Sequence, residues 1–176
     1  CGTKTTETAT AEEVAREVGS SDIAYVQVEA VLAQCDLFLN EGAALQEKTQ
    51  KAQKSWAQKE QNLQAEAAQL QEKYQKGLIT TNDAQAQQQS IEKRVASYQS
   101  SAQKEAQALD EENYVFTNRA QDLLHRAVQE INGDKKYKLI INATALIDAD
   151  STLNITPAVL AKVNELYAAD KKAVKK

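Results

Sequence analysis

The chain has 176 residues, a formal net charge of −4 and 5% aromatic residues, and alanine raises its apolar fraction. A modest charge of mixed sign leaves no electrostatic footprint for nucleic acid, and no apolar run approaches the ~18 residues that a membrane-spanning helix needs. With one histidine and two cysteines, neither a Cys/His metal cluster nor a disulfide framework is expected.

Residues 1–21 are rich in Thr, Glu and Ala and end in Gly19-Ser20-Ser21. They read as a flexible tether with a short helical turn at Ala11–Val18. The chain contains no methionine, so Cys1 is expected to be a processed or trimmed start rather than a translation start. Cys1 followed by Gly2-Thr3-Lys4 and a polar stretch resembles the mature end of a bacterial lipoprotein. That resemblance implies acylation of Cys1 and attachment to a membrane surface, each buried CH2 contributing ~0.8 kcal/mol. Cys35 is expected to be a small buried apolar residue. Ile23-Ala24-Tyr25-Val26-Gln27-Val28 is short, β-branched and aromatic, and predicts a strand. Glu29 to Leu39, with Val31, Leu32, Cys35, Leu37, Phe38 and Leu39, predicts a short helix packed on it.

From Glu41 to Ile131 there is no proline, and Ala, Gln, Glu, Lys and Leu dominate. Straight side chains lose little rotamer freedom in a helix. The run breaks at Lys76-Gly77-Leu78-Ile79-Thr80-Thr81-Asn82-Asp83, where a C-terminal glycine precedes hydroxyl and amide residues suited to a new start. The pattern predicts two helices, 43–76 and 81–132, on the order of 50 and 75 Å long, folded back on each other. Trp56, Leu63 and Leu70 recur at seven on the first, with Ala67 and Tyr74 filling the alternate positions and Glu60 interrupting. Ile91, Val95, Tyr98, Ala102, Leu109, Phe116, Ala120, Leu123, Ala127 and Ile131 alternate by four and three on the second, with Glu105 and Glu112 interrupting. This is an antiparallel coiled-coil seam. It fades into Gln85-Ala86-Gln87-Gln88-Gln89, which predicts mobility near the tip.

After Gly133-Asp134, Tyr137 to Ala143 predicts a second strand, and Ala145-Leu146-Ile147-Asp148 is a candidate third, followed by a polar loop. Thr156 as N-cap and Pro157 at the first helical position start a last helix, whose buried face is Val159, Leu160, Val163 and Leu166. Lys171–Lys176 reads as a basic, frayed tail. The organisation is thus a tether at 1–21, a body from 22–40 and 133–170, a hairpin arm at 41–132 with its tip near 76–84, and a tail. About eighty residues outside the arm make a core too small to be more than marginal alone, so oligomerisation is expected. His125 and Glu111-Glu112 read as solvated helix surface. Asn142-Ala143-Thr144 and Asn154-Ile155-Thr156 match the N-glycosylation pattern but fall in predicted ordered structure, and Asp150-Ser151-Thr152 reads as a plain turn. No nucleophile, phosphate loop or paired-carboxylate pocket is present, so neither enzyme activity nor a cofactor is expected.

The order of strand, short helix, long hairpin, strand pair and Thr-Pro-initiated helix resembles the Skp/OmpH family of periplasmic chaperones. Asp22-Ile23-Ala24-Tyr25-Val26, Leu139-Ile140-Ile141-Asn142-Ala143 and Asn154-Ile155-Thr156-Pro157-Ala158-Val159-Leu160 carry the match. Asn142 and Asn154 stand where the family usually has Asp. The resemblance implies an α+β fold, mostly α, with a long antiparallel coiled-coil hairpin projecting from a small β body assembled by trimerisation. Ile23, Tyr25, Val26, Val28, Leu139, Ile140 and Ile141 would build the trimer body. It implies an ATP-independent holdase that keeps unfolded outer-membrane β-barrel proteins in a cavity between three arms, in the periplasm. Trp56 is read first as a filler between the limbs beside small alanines. As a second role it would be an apolar handle for clients, and Tyr74, Leu78, Ile79 and Tyr98 are candidates for the same contact. The alternative is a structural or adaptor coiled-coil lipoprotein that docks one envelope partner; clustered apolar residues on the arm off the seam would favour it, and none stands out in the sequence.

Overall fold

The computed structural model describes residues 22–174, so Cys1, the tether with its predicted turn at Ala11–Val18, Lys175 and Lys176 lie outside the described residues. The chain forms β1 (Ile23–Val26), α1 (Val28–Gln34), a π-helical turn (Phe38–Gly42), α2 (Ala43–Gln75), α3 (Thr81–Ile131), β2 (Leu139–Asn142), two 3-10 turns (Ala143–Ala145 and Ser151–Leu153) and α4 (Thr156–Val174). It divides into a body, residues 22–43 and 116–174, and a hairpin unit, Ala44–Val115. The division falls inside α3, whereas the sequence pattern alone marks the hairpin through residue 132.

In the body, β1 and β2 pair in parallel, Ile23 beside Leu139 and Tyr25 beside Ile141. Alternation then puts Ala24 and Val26 on the inner face and Ile23, Tyr25, Leu139 and Ile141 on the other. Ala24 and Val26 are buried, with Val31, Cys35 and Leu37 from the first helical segment and Ile155, Val159, Val163 and Tyr167 from α4. Ala120, Leu123 and Ala127 of α3 complete the same cluster. Tyr137 also joins it, because Asn132 grips its backbone twice: the amide Nδ2 donates to the Tyr137 carbonyl and Oδ1 accepts from its N–H.

Several expectations need correction. The stretch Ala145–Asp148 forms no strand. Asn142 accepts the Thr144 N–H and turns the chain into a 3-10 turn, and Ile147 ends fully exposed. The second backbone partner of β1 is instead Asn154, bridged to Tyr25, with the Ile155 N–H donating to the Tyr25 carbonyl at 3.0 Å. Thr156 does not cap the last helix through its hydroxyl, which accepts the Gln27 N–H at 2.9 Å and pins the end of β1 to the start of α4. The Asn154 side chain takes the Thr156 N–H, and the helix begins at Thr156, one residue earlier than expected. It continues to Val174, so Lys171–Val174 are helical rather than frayed, and Lys171 lies 5.2 Å from the Tyr167 ring centroid.

The predicted helix 29–39 is also interrupted. Cys35 is extended, and its fully buried thiol donates to the Leu32 carbonyl. The chain then winds through a π-turn into α2, and π-turns add a residue to the helical ladder. Phe38 meets Phe116 edge-on with centroids 4.7 Å apart. A Cβ at Gly42 would stand 3.0 Å from the tip of the Phe116 ring, so the ring would have to shift by a few tenths of an ångström to admit a side chain there.

Glu41 closes the same corner, accepting from Arg119 at 2.6 Å and from the Tyr167 hydroxyl at 3.0 Å. Partial burial pushes its carboxyl pKa up, but hydrogen bonds from Arg119 and Tyr167, with the charges of Arg119 and Lys171, outweigh that and hold it below the ordinary value. A carboxyl lowered on folding stabilises the fold above its unfolded pKa and loses that contribution as pH falls through the lowered value. Arg119 is half exposed, with 51% of its side chain in solvent, so screening limits the effect to under about 1 kcal/mol. Urea unfolding of the protein and of Glu41→Gln is expected to differ at pH 7 and to converge by pH ~3; a gap unchanged across that range would contradict the assignment. Removing most of the Ile155 side chain, fully buried, as Ile155→Ala, is expected to cost about 2–5 kcal/mol in the same measurement.

Candidate functional site

The hairpin unit is long and thinly packed. Along α2 the inward residues are Leu45, Ala52, Trp56, Leu63, Ala67 and Leu70, but only Ala52 and Leu70 are buried. Along α3, Ile91 and Leu109 are buried, while Val95, Tyr98, Ala102 and Ala106 are half-buried. A seam of this kind is narrow, because alanine removes little apolar surface from water.

Polar contacts across the two helices supplement it. Glu105, which reads as an interruption, accepts the Trp56 indole N–H at 2.6 Å. The Tyr98 hydroxyl donates to the Trp56 carbonyl at 3.0 Å. Glu112, the second interruption, pairs with Lys48, and Glu66 pairs with Arg94 at 2.5 Å. The Arg94 contact holds the Glu66 carboxyl below its ordinary value, chiefly through the hydrogen bond.

The tip is built as the sequence pattern implies. Gly77 has φ +68°, and its N–H donates to the Tyr74 carbonyl while the Leu78 N–H reaches Lys73. This pair of bonds closes α2 in a Schellman motif, and glycine carries the left-handed residue at least cost. Thr80 then caps α3, its Oγ1 accepting the Asp83 N–H at 3.1 Å. Behind the turn an open groove of about 860 Å3 runs between the helices, lined by Ala67, Leu70, Tyr74, Ala84 and Gln88 among others.

The sequence-predicted residues therefore separate into two groups. Trp56 and Tyr98 sit in the seam, half-buried and bonded to the facing helix or its side chains. Tyr74 and Leu78 are exposed, at 49% and 68%, with Ile79 half-buried beside Leu78. Sequence reasoning missed Tyr114 and Val115, exposed at 70% and 55%. Their signal lay in the heptad count itself, which puts both off the seam defined by Leu109 and Phe116.

In the body, the residues expected to build a shared sheet are also divided. Val26 is buried within the chain, and Ile140 packs on its core. Ile23 and Leu139 stand exposed side by side, and among the described residues no strand pairs with the outer edge of β2. A cavity of about 270 Å3 is lined by Val26, Val28, Leu124, Val128, Ile140 and Ile141, with Gln121, His125 and Asn142. Among the described residues, no group of three or more His, Cys, Asp and Glu side chains is placed to hold a metal ion, and no helix is long and apolar enough to cross a membrane.

The family model described as outer membrane protein (OmpH-like) matches residues 22–163, which takes in β1, both hairpin helices, β2 and the start of α4. The chain belongs to the OmpH-like family. A solved structure of a candidate outer membrane chaperone (OmpH-like) from Caulobacter crescentus CB15 shares its fold, with a TM-score of 0.70 and 16% sequence identity, covering 84% of this chain and 86% of that one. No curated protein matches this chain. The OmpH-like fold is thus a long helical hairpin with a small two-stranded body, as the order of its elements implied.

If the Trp56–Glu105 bond organises the middle of the hairpin, Trp56→Phe, which keeps an aromatic ring but loses the indole N–H and part of the side-chain volume, is expected to destabilise by about 1 kcal/mol or more. The loss should appear as faster amide exchange at 50–60 and 98–108 in α2 and α3, and exchange unchanged there would show that the bond is incidental.

Proposed function

We propose that this protein is an ATP-independent periplasmic holdase that binds unfolded outer-membrane proteins and keeps them from aggregating. The observation that carries the reading is the hairpin itself: two long helices held by a narrow seam, with Tyr74 and Leu78 exposed at the tip. A chain built only for stability would bury such residues, whereas a holdase works through many weak, adaptable apolar contacts. Membership in the OmpH-like family and the likeness to a candidate outer membrane chaperone support it.

In this reading the working form is a homotrimer. Ile23, Tyr25, Leu139 and Ile141 would be covered by neighbouring copies and the open edge of β2 would be paired, which removes an aggregation-prone edge. Three hairpins would then surround a shared cavity for the client, with release driven by the client's own folding. Acylation of Cys1 would hold the trimer at a membrane surface.

One observation favours the adaptor reading: Tyr114 and Val115 are adjacent, exposed and off the seam. Two side chains, however, fall far short of the roughly 800 Å2 that each partner contributes to a stable specific interface. The holdase reading therefore stands first.

Diluting a urea-unfolded β-barrel protein into buffer tests it. Light scattering is expected to fall to near baseline at about one trimer per client, with a solution mass three times that of the chain. Unchanged scattering at several-fold excess would end the holdase reading, and a monomeric mass would end the cage. A saturable complex with one folded envelope protein, alongside indifference to unfolded chains, would favour the adaptor.

A further inference from the structure

The apolar residues exposed at the tip of the hairpin are not its only unburied ones. Tyr114 and Val115 lie in the last turn of the hairpin unit. Leu109 and Phe116 mark the side of α3 that faces inward, Leu109 being 4% exposed. At about 100° per residue, Tyr114 falls about 140° around the helix from Leu109, on the outward side, with Val115 next to it. Hairpin packing therefore explains neither residue. Outward coiled-coil positions ordinarily carry charged or polar side chains, and those one or two turns away in either direction do: Gln107, Asp110, Glu111, Asn118 and Gln121.

One turn before the pair stand Asp110 and Glu111, four residues from Tyr114 and Val115 respectively, which places each carboxylate beside an apolar side chain. Glu112 is engaged with Lys48 across the seam, but Asp110 and Glu111 form no ion pair among the described residues. The result is a small surface with an aromatic ring, a branched aliphatic side chain and two negative charges. Its complement is a polypeptide segment that sets an apolar side chain next to Lys or Arg. Burying the apolar group against Tyr114 and Val115 removes surface from water, and a cation over the Tyr114 ring is attracted to both the ring face and the carboxylates. A segment carrying Asp or Glu in the same place meets like charge and is disfavoured.

Resting on the holdase reading, we infer that Asp110, Glu111, Tyr114 and Val115 form a client contact selective for segments that pair apolar and basic side chains. The patch is too small to fix a folded partner and suits a weak, repeated contact with an unfolded chain. It adds charge selectivity to the apolar contact that Tyr74 and Leu78 offer at the tip.

The test uses two fluorescein-labelled unstructured peptides with identical leucine content, one alternating Leu with Arg and one alternating Leu with Glu, and reads fluorescence anisotropy. The Leu/Arg peptide is expected to bind roughly ten-fold more tightly at low salt, with the difference shrinking as salt screens the charges. The double variant Tyr114→Gln/Val115→Gln is expected to weaken both peptides, while Asp110→Asn/Glu111→Gln removes only the preference. All four residues are on the surface, so the variants should keep the helical signal and solution mass of the parent. Equal binding of the two peptides, or binding unaffected by either variant, would overturn the inference. A changed solution mass in Tyr114→Gln/Val115→Gln would overturn it differently, by showing a self-association surface. If the parent protein suppresses client aggregation while the variants match it in every peptide measurement, this inference fails and the holdase reading survives. If the parent neither suppresses aggregation nor binds either peptide, both fail.

Discussion

One uninterrupted helix has to satisfy two different environments, and the rest of the molecule depends on how it does so. α3 runs 51 residues without a glycine or proline. Over its last turns Phe116, Ala120, Leu123 and Ala127 join the cluster that also holds Ala24, Val26, Val159 and Val163. Two four-residue strands, one seven-residue helix and one nineteen-residue helix could not bury much surface alone. By lending four turns of apolar stripe, α3 gives them a core. Earlier in the same helix, the stripe thins to Ile91, Val95, Tyr98 and Leu109, and stability there comes from a narrow seam with polar bonds across it. Density of packing, rather than a change of secondary structure, separates the two units.

This gradient connects sequence to function. Large side chains on the seam are few, so small residues such as Ala67 and Ala84 leave an open groove behind the tip, and apolar side chains that a tighter coil would bury remain at the surface. The closing corner of the body is made in the opposite way. Phe38, Gly42 and Phe116 fit without slack, and Glu41 gathers Arg119 and Tyr167 around one carboxylate. In the proposed holdase, the body would keep its shape while the hairpin surface adapts to clients.

Much of the fold was legible because the relevant residues have few alternatives. Gly77 marks a left-handed turn that other residues enter only with strain, and the four–three spacing from Ile91 to Ile131 allows only a helical seam. Leu139-Ile140-Ile141 was equally direct, and Thr156-Pro157 marked the start of the last helix to within one residue. What was hidden depends on tertiary pairing. Ala145–Asp148 has a strand's composition, but the open place beside β1 goes to Asn154, and composition does not report which edge is free. The Thr156 hydroxyl looks like a cap until Gln27, distant in sequence, supplies its N–H. Glu105 and Glu112 look like faults in the seam until Trp56 and Lys48 are seen opposite them. Tyr114 and Val115 carry no signal in the buried stripe, and it is the same heptad count that places them outside it.

The central claim is that the hairpin unit is the less stable part of a chain whose body is firmly packed, and amide hydrogen exchange across the whole protein tests it most directly. Local opening free energies range from near zero to the global value, so exchange should be fastest around Gly77, from about residue 66 to residue 95, and slowest in α4 at 158–167 and in α3 at 120–127. The account predicts that gradient in the absence of client. Protection near the tip equal to that of α4 would contradict it, because a hairpin so firmly held would have no adaptable surface to offer.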